Sequence, residues 1–191
     1  MKGEYCYFKR YFTPEQCKKI IDLASTLPSQ QGHMGVDNAI TNQDYRRSEI
    51  RFIGNNDQRF DFLFDAAWKM AIQANDDFFG FHLSKLDYIQ FAEYDASYLG
   101  EYKQHHDVFW LNGDPVYHRK LSAVIQLTDP TEYDGGNLEF LDMQNGAPTP
   151  EEIKDQGTAV FFPSFFLHKA TPVTRGKRYS LALWYDGPKW R

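Results

Sequence analysis

Apolar residues recur along this chain with two different periods. Near the N-terminus Cys17, Ile20, Ile21, Ala24 and Leu27 fall every three or four positions, the spacing of one helix face. Thr13-Pro14-Glu15-Gln16 stands in front of them and predicts the helix start, with Thr13 as cap, Pro14 at the first helical position and Gln16 closing a capping box. Pro28 ends the stripe. A second helical stripe, Phe60, Leu63, Phe64, Ala67, Ala71 and Ala74, follows Asn55-Asn56-Asp57. Both helices read as packing elements. Residues 29–45 between them are polar and aperiodic, and far longer than the about 4–6 residues of a median connection. Such a segment suits a lid or a surface loop, and both readings stand; His33 within it reads as solvent-exposed.

From residue 84 onward the period changes to two. Leu86, Tyr88, Gln90, Ala92 and Tyr94 share one face of a first run, and Leu121, Ala123, Ile125 and Leu127 share a face of another. Gly135-Gly136 punctuates before Leu138 and Phe140, Ala159 to Phe162 is β-branched and aromatic, and Arg178 to Trp184 is closed by Asp186-Gly187-Pro188. About eight short strands after two helices predict a mainly β fold, a sandwich or jelly roll with the helices packed on one side. One domain is expected over 1–191, helical to about residue 83 and β from about 84 to 188.

Composition narrows the function classes. The chain has 191 residues, 42% of them hydrophobic, enough for one sizeable core. No run of about 18 apolar residues could span a membrane, and no apolar segment follows Met1-Lys2-Gly3-Glu4-Tyr5, so a cytoplasmic protein is expected. Net charge is -5, with 21 Lys and Arg scattered among 26 Asp and Glu, which disfavours a nucleic-acid partner. Cys6 and Cys17 are too few for a disulfide scaffold and read as free and buried, leaving the six histidines as the soft ligands.

Tyr102-Lys103-Gln104-His105-His106-Asp107 contains H-x-D, and in an extended strand residues i and i+2 point to one face, so His105 and Asp107 can converge while His106 points away. H-x-D alone is weak. Downstream, however, stands His168, and ten residues later Arg178-Tyr179-Ser180 puts Arg178 and Ser180 on one strand face. Two imidazoles and a carboxylate can occupy one face of an octahedral metal, the facial triad of non-haem Fe(II) oxygenases, with three positions open for a bidentate 2-oxo acid and O2. Arg178 can hold the far carboxylate of a dicarboxylate co-substrate.

At these residues the sequence resembles the Fe(II)- and 2-oxoglutarate-dependent dioxygenases, and among them the prolyl 4-hydroxylase-like branch. Tyr94 and Tyr102 upstream of His105, Leu121-Ser122 opening a strand, Gly135-Gly136-Asn137-Leu138-Glu139-Phe140, Phe162-Pro163-Ser164 before His168, and Pro172 to Trp184 match as well. The resemblance implies a double-stranded β-helix that holds Fe(II) through His105, Asp107 and His168, with Arg178 on the distal carboxylate of 2-oxoglutarate. It also implies that Tyr94 and Trp184 line the pocket, although a cross-strand aromatic pair would explain Tyr94 equally well. Some relatives place a tyrosine partner for that carboxylate on the strand that here reads Ala123 to Leu127; this chain lacks it, and Ser180 or a water is the expected substitute. Arg46-Arg47-Ser48 resembles a basic segment bordering the substrate channel in some relatives, while an arginine pair reads more simply as a solvated face. His82 and His118 match no ligand position.

The implied reaction is hydroxylation, most simply of a prolyl residue in a protein or peptide, with 2-oxoglutarate and O2 consumed, succinate and CO2 released, and ascorbate as an auxiliary reductant. Asp107 speaks for hydroxylation over halogenation, because halogenating relatives carry a small residue there. A free amino acid or other small molecule is the alternative substrate. A non-catalytic jelly-roll binding module is the alternative class, opposed by the joint presence of three ligands and Arg178; a cupin-type site would need no Arg178.

Overall fold

The computed structural model describes residues 1–32, 44–108 and 117–190. Along the chain these form β1 (Cys6–Phe8), α1 (Pro14–Ala24), β2 (Gln30–Gln31), β3 (Arg46–Arg47), β4 (Glu49–Gly54), α2 (Asp61–Ala74), β5 (Tyr88–Asp95), β6 (Glu101–His105), β7 (Tyr117–Gln126) and β8 (Asp134–Gly135). β9 (Leu138–Phe140), α3 (Pro150–Ile153), β10 (Ala159–Pro163), β11 (His168–Ala170), β12 (Val173–Arg175) and β13 (Lys177–Pro188) complete them. The predicted capping box opens α1: Gln16 N–H donates to Thr13 Oγ1 and Thr13 N–H to Gln16 Oε1. α1 stops at Ala24, short of Pro28, as the chain tightens into turns in which Thr26 N–H donates to the Leu23 carbonyl and Leu27 N–H to the Ala24 carbonyl. A π turn, Asn75–Phe79, extends α2 and ends at Gly80, whose φ of 70° breaks the helix.

The strands build a large antiparallel sheet, β1-β10-β7-β13-β5-β4-β2, a small one, β3-β6-β11-β9, and a ribbon, β12-β8. Strand alternation divides the large sheet into two unlike faces. Ile53, Ile89, Phe91, Leu121, Ala123, Ile125, Phe161, Leu181, Leu183 and Tyr185 face one way and cluster with Cys17, Ile20 and Ala24 of α1 and Leu63, Ala67, Met70 and Ala74 of α2. This is the main core. Gln90, Ala92, Tyr94, Ser122, Gln126, Arg178 and Ser180 face the other way, toward the small sheet, and are buried as well. The result is a two-sheet jelly roll with helices covering the outer face of one sheet. No helix among the described residues is long and apolar enough to cross a membrane.

Two expectations need correction. The stretch before residue 84 is not simply helical: β4, in Glu49-Ile50-Arg51-Phe52-Ile53-Gly54, pairs with β5 over six residues and extends the large sheet, while β1 closes its other edge. Leu86 lies before β5 and joins the helix-side core instead of the face of Gln90, Ala92 and Tyr94. Of the 29–45 segment, residues 33–43, His33 among them, lie outside the described residues.

Candidate metal centre

His105 ends β6 and His168 opens β11, and the two are register partners across that antiparallel pair. Asp107 follows where β6 has stopped, and its N–H donates to the Ser164 carbonyl at 2.9 Å. One atom from each of the three side chains lies within 4.8 Å of the others, with His105 Nε2 3.8 Å from Asp107 Oδ1 and His168 Nε2 3.6 Å from Asp107 Oδ2. The far side of each imidazole is fixed by backbone: His105 Nδ1 meets the Lys103 carbonyl at 2.8 Å and His168 Nδ1 the Phe166 carbonyl at 2.9 Å. A carbonyl only accepts, so each Nδ1 carries the proton and each Nε2 presents its lone pair to the centre. Burial pushes the His105 imidazole down to about 3, and the neighbouring His168 adds to this. Burial works to raise the Asp107 carboxyl, yet His168, His105, Arg119 and the Ser122 hydroxyl together hold it below its ordinary value. The two imidazoles and the Asp107 carboxylate are therefore aimed at one point. His106 turns away, its Nδ1 against the Phe165 carbonyl at 2.8 Å.

Across the cavity Arg178 is 2% exposed. Its Nε and Nη2 donate to Gln126 Oε1 at 3.2 and 3.0 Å, and the Tyr133 phenol lies within its hydrogen-bonding reach. Among the described residues no carboxylate pairs with it. A buried guanidinium held only by neutral groups suits an anionic ligand. The Gly135-Gly136 turn lets the chain pass close by: Gly136 has φ 59°, and a Cβ there would sit 2.8 Å from Arg178 Cδ. Tyr94 is 5% exposed and is the register partner of Arg178, its ring 5.3 Å from the guanidinium carbon. Its cross-strand neighbour is thus a cation and not the second aromatic ring one reading required. Ser180 and Trp184 continue the Arg178 face and line the same cavity as His105, Asp107 and His168. Of the strand aromatics, Phe91 and Phe161 belong to the helix side.

Sequence reasoning overlooked three groups. Gln126 takes the Arg178 contact at the strand where a tyrosine was missing; its even position, in phase with Ser122, was the available signal. Ser122 and Ser164 stand behind Asp107. Arg46, far from being solvated, is 5% exposed and lies 4.3 Å over the Tyr102 ring, which stacks on His105 at 3.6 Å. Arg47 is the more open of the pair and bonds the Glu101 carboxylate and the Tyr98 and Leu99 carbonyls.

The donor set suits an octahedral divalent iron, since three protein ligands leave three positions for other groups. A jelly roll with such a centre and a buried, acid-free arginine defines the class of 2-oxo-acid-dependent iron oxygenases. Residues 89–186 match the family profile of the 2OG-Fe(II) oxygenase superfamily. The chain belongs to that superfamily, with Fe(II), 2-oxoglutarate and O2 as the family's cofactor and co-substrates. It is similar to a PKHD-type hydroxylase of Teredinibacter turnerae, 43% identical over 65 residues covering 34% of this chain and 27% of the relative, and to one of Pseudomonas putida, 42% identical over 65 residues with the same shares. The match thus spans about a quarter of those relatives. In fold it is similar to a prolyl hydroxylase of Trichoplax adhaerens solved in complex with a hypoxia inducible factor peptide fragment, with TM-score 0.73, 16% identity, and 95% of this chain and 83% of that one covered. A Pseudomonas putida prolyl-4-hydroxylase has TM-score 0.68, 20% identity, and 97% and 94% covered.

Proposed function

We propose that this chain hydroxylates a prolyl residue of a protein or peptide, consuming 2-oxoglutarate and O2 and releasing succinate and CO2. The observation that carries the reading is that the His105, Asp107 and His168 donors and the acid-free Arg178 open into one cavity. The likeness of fold to a prolyl hydroxylase in complex with a peptide supports the substrate class.

In this reading His105, Asp107 and His168 hold Fe(II), which when bound supplies the redox chemistry that couples decarboxylation of the oxo acid to hydroxylation. Arg178 anchors the distal carboxylate of 2-oxoglutarate. Gln126 fixes the guanidinium from behind through Nε and Nη2, and Arg178 lines the cavity. Tyr94 covers one face of Arg178 and Ser180 adds a hydroxyl beside it. Trp184, with the Arg119 guanidinium carbon 4.0 Å over its ring, forms part of the wall that keeps water from the reacting region. Ascorbate serves to keep the iron ferrous.

The test is anaerobic addition of Fe(II) and 2-oxoglutarate to the purified chain, watched for a visible charge-transfer band, followed by succinate measurement after O2 is admitted. Proline-containing peptides are then screened for the mass gain of one oxygen atom. A band and succinate that both vanish in His168→Ala support the reading. Succinate equal in His168→Ala and parent would sink it, and oxygen gained only by free amino acids would replace the peptide by a small-molecule substrate.

A further inference from the structure

We infer that Ser164 and Ser122 form a directed hydroxyl relay that holds Asp107 in its ligating orientation, Ser164 acting as a positioning residue only through Ser122. The inference rests on the metal-binding reading above.

Ser122 and Ser164 are 1% and 0% exposed. Ser122 Oγ lies 2.6 Å from Asp107 Oδ2, and the two serine hydroxyls lie 2.9 Å apart. An ionised carboxylate only accepts, so the Ser122 hydrogen goes to Oδ2. Ser122 has one hydrogen and has spent it; its remaining role toward Ser164 is acceptor. The Ser164 hydroxyl therefore donates to Ser122, and the direction Ser164 to Ser122 to Asp107 is the one consistent with a charged carboxylate.

The backbone sets the same arrangement. Ser122 sits on β7 opposite Phe162 of β10, and Ser164 comes two residues after Phe162, its N–H donating to the Lys120 carbonyl at 3.1 Å. The Ser164 carbonyl receives the Asp107 N–H. Two residues on, the Phe166 carbonyl fixes His168 Nδ1. One short turn, 164–166, thus orients two of the three ligands, and its only side-chain hydroxyl points to Ser122.

The chemical consequence is orientation: the hydroxyl on Oδ2 fixes the rotation of a carboxylate whose two oxygens face the His105 and His168 Nε2 atoms. Partners behind a ligand of this kind carry about 10–100-fold in metal affinity.

The experiment titrates the metal-free full chain with Co(II) alone, without 2-oxoglutarate, and reads affinity and the visible Co(II) absorption. Ser122→Ala should weaken Co(II) binding by about 10–100-fold and alter the absorption band. Ser164→Ala should weaken it by a smaller factor, and the Ser122→Ala/Ser164→Ala double variant should match Ser122→Ala, because the second hydroxyl has nothing left to act through. Ser122→Thr keeps the donor and should bind like the parent, while the isosteric Ser122→Val should not. That pair decides the matter if an alanine variant fails to fold in a melt with chelator. Parent-like affinity in Ser164→Ala, losses that multiply in the double variant, or Val equal to Thr would each overturn the relay while leaving Co(II) binding by the parent, and so the metal reading, intact. A parent that binds no Co(II) would overturn both.

Discussion

The two faces of the large sheet are made by alternate residues of the same strands, yet they answer to opposite demands. On the helix side Ile125, Phe91, Leu181 and Leu183 are all completely buried within the apolar cluster. Burial there removes apolar surface from water, about 1.5–3 kcal/mol for each large side chain. One residue along each strand, Gln126, Gln90, Ser180 and Ser122 are nearly as buried, and so is a guanidinium. Burying polar groups is unfavourable unless each finds a partner. The difference teaches that the first face holds the molecule together and that the second spends part of that stability on a preorganised site, a division also expected where function violates local rules.

The comparison breaks most sharply at the ligands. His168→Ala should abolish Co(II) binding and reduce succinate to background, while the metal-free protein melts close to the parent. A large drop in melting temperature together with residual turnover would mean that the centre is structural. Next in size is the helix side. Phe91 is completely buried and stacked on Tyr179 with ring centroids 5.5 Å apart, so Phe91→Ala should cost about 3–5 kcal/mol in urea unfolding with Co(II) affinity of the folded fraction unchanged.

Much of this division was legible in the chain. Period-two alternation placed Leu121, Ala123, Ile125 and Leu127 on one face, and it did so because a half-turn per residue leaves strand side chains no other choice. The spacing of His105, Asp107, His168 and Arg178 identified residues that long-range pairing then gathers, β6 against β11 and β13 against β5. What escaped was set by partners distant in sequence. Gln126 and Ser122 are ordinary polar residues until the cavity gives them Arg178 and Asp107 to bond, and the two readings of Arg46 part only when β3 pairs with β6 and lays it on Tyr102. β4 escaped for a simpler reason: six residues with an arginine on the core face, Arg51, give a poor apolar alternation.

Arg178 sharpens the contrast at intermediate size. Under the proposed function Arg178→Met removes a charge-assisted contact to 2-oxoglutarate, so its affinity, read by titration of the Co(II)-loaded protein, should fall by about 1.5–3 kcal/mol, roughly ten- to a hundredfold. The metal-free protein should lose much less stability than in Phe91→Ala, since an acid-free buried guanidinium is itself unfavourable. Equal losses in the two variants would erase the distinction between the faces.

The smallest effect tests whether the faces are mechanically independent. Thr13 caps α1 through the reciprocal pair with Gln16, and α1 touches the sheet only on its apolar side. Thr13→Ala should cost about 1 kcal/mol of unfolding free energy. Because the apolar strand residues between α1 and the cavity are close-packed and have no second arrangement to adopt, that loss should raise the population of unfolded chain without moving His105, Asp107 or His168. Co(II) affinity and the KM for 2-oxoglutarate, measured well below the melting temperature, should then match the parent. A shift in either would mean that the helix sets the position of the sheet beneath the ligands, and the stabilising face would have to be counted as part of the site.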